Sequence, residues 1–350
     1  MLLEGIFAAV TTPFYSDERV YFRKLEANMA RYSRSLLAGM VVLGSTGEAS
    51  LLNDSETRDV LRVAAEATAP EKVLVAGVGR ESVSGTVELA EVAAMLHYDV
   101  VLVRTPMYYA GQMSTPAVLN YFRSVADRSP LPVLLYNIPK CVPYQMPADL
   151  VAELAGHPNI IGIKDSSGNV EVTSGYVAAT RTSSRRTVTV TPIFEAVTAR
   201  MLAQKAPDSG SGAFVSAASL SGGAALATAP AIKTRSREVG FQVLSGSASA
   251  TLQSLEAGAS GAILALAACA PQACHEVYQA WKDHDLALAD EKQSRIAAVN
   301  KRIVGELGVS GVKYACDFNG YYGGRPRAPL LSVSADERKE IESLLAEIRN

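Results

Sequence analysis

Residues 159–168 read N-I-I-G-I-K-D-S-S-G. Ile160, Ile161 and Ile163 make a β-branched run of the kind buried on both faces of a parallel sheet. The run ends at Lys164 and gives way to Asp165, Ser166, Ser167 and Gly168, which form turns. A lysine at the carboxyl end of a buried strand meets apolar surroundings. Desolvation there lowers an amine's pKa and frees its lone pair, which suits an imine-forming lysine. The competing reading is a lysine that snorkels from a strand end to water. The stretch alone leaves both open, so the flanking sequence has to decide.

Upstream of this strand, apolar runs and helical spacing alternate. Gly5–Thr12 reads as a first strand, followed by a helix over Phe22–Leu37. Met40–Leu43 is a second strand that empties into Gly44-Ser45-Thr46-Gly47-Glu48, and Ser55–Ala67 is a helix with Ser55 as its cap. Val73–Ala76, Ser82–Leu96, Val100–Val103, Thr115–Asp127, Val133–Tyr136 and Pro147–Ala155 continue the alternation. With a helix over Val170–Thr180 after the opening stretch, six strand–helix units argue for right-handed winding and a parallel sheet. Phe241–Leu244 and Gly261–Leu266 supply strands seven and eight, with Ala250–Ala257 helical between them. Eight units close a (β/α)8 barrel. The open, doubly wound sheet is the structural rival, but no G-x-G-x-x-G follows the first strand.

The expected organisation is a TIM barrel over residues 1–268 and a C-terminal helical extension over 269–350, where Gln272–Leu307 and Ala335–Ile348 are strongly helical. An atypical insertion at about 185–237 interrupts the barrel. Within it Val188–Phe194 reads as a strand or hairpin arm, Ala196–Lys205 as a short helix, and Asp208–Ala229 as near low complexity. An insertion between a helix and the next strand belongs to the amino-terminal face of a barrel, which concerns stability rather than chemistry.

The 350 residues are 48% hydrophobic with a formal net charge of −2, so there is no basic footprint for nucleic acid. Gly258–Pro271, the most apolar late stretch, is too short and too rich in Ala and Gly to span a bilayer, and no signal peptide is visible. Cys141, Cys269, Cys274 and Cys316 lack metal-type spacing and read as reduced thiols of a cytoplasmic protein.

The polar groups worth naming fall at the ends of different strands, which share one face in a barrel. Ser45 and Thr46 follow strand two, Tyr108 follows strand four, Tyr136 ends strand five, Lys164 ends strand six, and Gly246 follows strand seven. Lys164 would attack the ketone of a 2-oxo acid and hold it as a covalent imine. Tyr136 would move protons, with Ser45 and Tyr108 extending its path to solvent. The hydroxyls and N–H groups of Ser45 and Thr46 would hold a carboxylate. A metal-dependent barrel is one rival, yet only Asp165 stands at a strand end, and His97, His157, His275 and His284 fall in helices or before strands. A catalytically idle barrel kept for binding is another.

At these residues the chain resembles the N-acetylneuraminate lyase and dihydrodipicolinate synthase family of pyruvate-dependent class I aldolases. The resemblance rests on Gly44-Ser45-Thr46-Gly47-Glu48, Tyr136-Asn137-Ile138-Pro139 and Gly162-Ile163-Lys164-Asp165-Ser166-Ser167-Gly168, and it covers roughly residues 5–180 and 241–332. It implies Lys164 as the Schiff-base residue, Tyr136 as the proton shuttle, no metal or organic cofactor, and a homo-oligomer of two or four copies. Dihydrodipicolinate synthases usually carry an arginine two residues past the proline of the tyrosine motif; here Cys141 stands in its place, after Lys140. Thr105–Ser114, His157–Ile160 and Gly320–Gly324 look closer to the 4-hydroxy-2-oxoglutarate aldolases. That branch implies substrate contacts from Ser45, Thr46, Ser166 and Gly246. The expected activity is cleavage of 4-hydroxy-2-oxoglutarate, or a similar 4-hydroxy-2-oxo acid, to pyruvate and an aldehyde. The alternative is condensation of pyruvate with aspartate semialdehyde.

Overall fold

The computed structural model describes residues 1–193, 195–203 and 233–348. Eight parallel strands close a barrel: β1 (Gly5–Ala9), β2 (Gly39–Val42), β3 (Val73–Gly77), β4 (Val100–Arg104), β5 (Val133–Asn137), β6 (Ile160–Asp165), β9 (Gln242–Ser245) and β10 (Gly261–Leu264), with β10 returning to β1. Successive residues point alternately inward and outward. Phe7, Val41, Val75, Leu102, Leu134 and Ile263 fill the interior, while Ile6, Ala8, Met40, Val42, Val101 and Leu135 meet the helices outside.

One break in that alternation sets up the site. The β5–β6 register shifts between Val133, opposite Ile160, and Leu134, opposite Gly162, so Ile161 is an extra residue on β6. Such a bulge re-aims every side chain beyond it. Lys164 thereby falls beside Tyr136 on the interior face, and Asp165 beside Asn137 on the exterior one.

The ring outside is built by α1 (Phe22–Ser33), α2 (Asp54–Ala67), α3 (Val83–Met95), α4 (Thr115–Arg128), α5 (Ala148–Ala155), α6 (Val170–Thr180), α8 (Thr251–Glu256) and α9 (Pro271–Lys282), which packs against β1. The cap of α2 is Asn53 rather than the expected Ser55. Asn53 Oδ1 accepts from Glu56 N, and Glu56 answers to Asn53 N, a reciprocal box that Ser55 cannot make from inside the first turn.

The insertion begins and ends in an antiparallel pair, β7 (Arg186–Val190) with β8 (Arg235–Val239). Val188, Val190 and Val239 pack on Leu2 beneath the barrel, and Arg186 donates to the carbonyls of His157 and Ile160, where β6 begins. The short helix α7 (Ala199–Ala203) gives Ala199 N to Asp99 Oδ1, just before β4. These contacts lie at the amino-terminal face. Asp208–Ala229 and the end of the expected helix fall outside the described residues.

The strongly helical stretch Gln272–Leu307 is helical in several pieces. It breaks after α9, resumes as α10 (Leu286–Asn300), and passes into a π-helical run at Lys301–Glu306. Then come α11 (Gly308–Phe318) and α12 (Ala335–Ala346). Among the described residues no helix is long and apolar enough to cross a membrane.

Candidate active site

The strand ends open into a cavity of about 240 Å³. Lys164 is 4% exposed, and its Nζ donates to Tyr136 Oη at 3.2 Å. Tyr136 Oη stands 3.5 Å from Ser45 Oγ. Amine, phenol and hydroxyl therefore form a line from the barrel interior to the turn after β2. Thr46, Ser166 and Gly246 line the same cavity, together with Lys140 and Cys141.

Gly246 is required by close approach. Its N–H donates to Asp165 O at 2.6 Å, and a Cβ there would fall 2.0 Å from Ser166 Oγ and 2.8 Å from Asp165 O. Any side chain would push β9 away from the residues after the lysine.

Asp165 has a different task. One carboxylate oxygen accepts from Asn137 Nδ2 at 2.8 Å and Ser167 N at 3.0 Å; the other accepts from Ser167 Oγ at 2.9 Å and Thr173 Oγ1 at 2.7 Å. It ties β5, β6 and α6 together from outside the barrel and offers nothing to the amine. Among the described residues no carboxylate lies within ion-pair distance of Lys164, and no group of three or more His, Cys, Asp or Glu is arranged to hold a metal.

The structure does not bring Tyr108 to this group. Tyr108 is 78% exposed and stacks edge-on against Tyr109. Glu81 is the cause: its Oε2 accepts from Met107 N at 2.8 Å and Tyr108 N at 3.0 Å, fixing the loop with the ring in solvent. A proton path from Ser45 through Tyr108 does not form within one chain.

Sequence reasoning missed the wall opposite. Asn300, Val304, Gly305, Gly308, Val309 and Val312, from the C-terminal helices, line the cavity. The π-helical run was the available sign only in structure, since such runs gather at functional sites.

A parallel barrel that gathers a buried amine, a phenol and a hydroxyl at its strand ends is the scaffold of an enzyme. The profile of the dihydrodipicolinate synthetase family matches residues 2–190 and 225–348. The chain belongs to that family, whose members are pyruvate-dependent class I aldolases, lyases and synthases. The unmatched stretch falls between β7 and β8. The 4-hydroxy-tetrahydrodipicolinate synthase of Methanothrix thermoacetophila is 26% identical over 347 residues, 99% of this chain and 97% of that one. A probable mitochondrial 4-hydroxy-2-oxoglutarate aldolase of Emericella nidulans is 28% identical over 352 residues, 99% and 95% of the two chains. Among solved structures, a dihydrodipicolinate synthase of Bacillus anthracis superposes with a TM-score of 0.79 over all of both chains at 21% identity. The synthase of Acinetobacter baumannii, solved in complex with pyruvate, gives 0.77 over 99% of each at 23%. These two likenesses speak for the fold.

Proposed function

We propose that this chain cleaves a 4-hydroxy-2-oxo acid, with 4-hydroxy-2-oxoglutarate as first candidate, to pyruvate and an aldehyde through an imine on Lys164. The observation that carries the reading is the line Lys164 Nζ–Tyr136 Oη–Ser45 Oγ inside the cavity. The free amine attacks C2 of the oxo acid, and the carbinolamine loses water to give an iminium. Tyr136 supplies the proton that water needs to leave. It then accepts the proton of the 4-hydroxyl as the C3–C4 bond breaks, the electron pair moving into the enamine and the aldehyde departing. Protonation at C3 and hydrolysis release pyruvate and restore the amine.

Ser45 and Thr46 fit the substrate's C1 carboxylate, with Ser166 and Gly246 beside the lysine. No cofactor or metal takes part in this scheme. Lys140 is the second cation on the lining and suits a carboxylate on the aldehyde partner, a group that glyoxylate and aspartate semialdehyde both carry. Running the same imine toward condensation with aspartate semialdehyde is the second reading; similarity to the Methanothrix enzyme supports it as well as the aldolase likeness supports the first. A cytoplasmic assembly of two or four copies belongs to the proposal, with Met107, Tyr108 and Tyr109, 41%, 78% and 62% exposed, as surface for a second copy to cover.

The test is borohydride reduction in the presence of pyruvate, with peptide mapping. A reduced pyruvate adduct on Lys164 is expected, and folded protein without one refutes the scheme. Product formation with glyoxylate against aspartate semialdehyde as acceptor then separates the two readings.

A further inference from the structure

The turn that carries Ser45 and Thr46 is held in an uncommon shape. Leu43 enters it at φ 61°, and Glu48 ends the 3₁₀ turn Ser45–Gly47 at φ 55°. Non-glycine residues in the left-handed region persist only where their surroundings hold them, and such strain gathers at ligand clamps. Here the hold comes from the far end of the chain. Lys313, on α11, is fully buried; its Nζ donates to Glu48 Oε1 at 2.6 Å and to Thr12 O at 2.8 Å. The ammonium lies 4.4 Å from the centre of the Phe14 ring. Glu48 Oε2 accepts Arg327 N at 2.8 Å, so both carboxylate oxygens are taken. Thr12 closes the loop, its Oγ1 donating to Gly47 O at 2.6 Å.

We infer that the Lys313–Glu48 pair is a clip that sets the carboxylate-holding turn, making Lys313 a positioning residue for capture of the 2-oxo acid; this rests on the imine reading above. Lys313 does not line the cavity, though its neighbour Val312 does. It acts through the turn and not on the substrate. One cation reaches the segment after β1 and the segment after β2 together, so it fixes where the Ser45 and Thr46 donors stand relative to Lys164. A pair that merely anchored the C-terminal helices would have no reason to end on the strained residue of that turn.

The experiment compares the full chain with the double variant K313M/E48Q, which removes both charges at similar volume, and with E48Q, which can hold only one of the two donors. Near-UV circular dichroism identifies folded protein, and borohydride trapping on Lys164 is titrated with pyruvate. The half-saturating pyruvate concentration is expected to rise about tenfold in the double variant and less in E48Q, while the rate constant for aldol cleavage at saturation stays within about twofold. A folded variant of either kind with wild-type half-saturation overturns the clip. Wild-type protein that traps no pyruvate overturns the imine reading, and the clip's role with it.

Discussion

Lys164 and Lys313 are both buried, 4% and 0% exposed, and in both cases an aromatic ring lies close to the amine. Their partners differ. Lys313 on α11 meets a carboxylate and a carbonyl, while Lys164 at the end of β6 meets a phenol. Burial pulls the Lys313 ammonium below its ordinary pKa while Glu48 pulls the other way, and its N–H groups are spent on two separate acceptors. Lys164 points inward and Asp165, the next residue of β6, points outward, so that carboxylate does not reach the amine. Burial alone thus does not set what a lysine can do; the charge of what it touches does, and strand alternation keeps Asp165 on the other face from the amine.

The comparison breaks most severely at the first lysine. Lys164→Ala should abolish the trapped adduct and drop turnover to the uncatalysed level, while chemical denaturation finds stability within about 1 kcal/mol of wild type, since no ion pair is lost. Tyr136→Phe should lower the rate at saturation by about 10²–10⁴-fold, read by steady-state kinetics, because the proton carrier goes while the amine stays. Lys313→Met should do the reverse of Lys164→Ala: stability falls by about 3–5 kcal/mol from stranding Glu48, and Lys164 is still labelled at saturating pyruvate. Adding E48Q should recover most of that loss, a coupling that denaturant titration of the four proteins measures.

The smallest effect is one of pH. The Arg327 guanidinium, hydrogen-bonded to both oxygens of Glu56, holds that carboxyl below its usual 4.5. A depressed folded pKa adds stability above the unfolded value, lost as pH falls through the folded one. Acid unfolding should therefore steepen below about pH 4.5 by up to about 1 kcal/mol, and Glu56→Gln should flatten it. An unchanged pH profile would remove Arg327 from the account of how the C-terminus docks.

The barrel was legible because each strand is a short apolar run ending in turn residues, and because helical spacing separates them. The first strand was expected three residues too long and the eighth two, because apolar residues run on past the strand end, as in Ala265-Leu266 after Leu264; the seventh was expected one residue early. Lys164, Tyr136 and Ser45 could be placed on one face from strand order alone. Their spacing could not be read, since it depends on the β5–β6 register shift, and an extra isoleucine in an isoleucine run leaves no mark in sequence. The outward turn of Tyr108 depends on Glu81, 27 residues earlier. The Lys313–Glu48 pair spans 265 positions. A trace of it was visible: Lys313 sits among Val312, Ala315 and Cys316 on the buried stripe of a helix, where a lysine needs a partner.

The β7–β8 ladder sets Arg186 directly opposite Val239, on the face away from the cavity. Whatever leaves the barrel there returns beside the point of departure. The entropy of closing such an excursion grows only with the logarithm of its length, so residues can be gained or lost between the two legs without shifting β6 against β9. The fold carries a built-in socket for passengers, and a fluorescent or affinity module spliced there would ride on the enzyme without entering its chemistry.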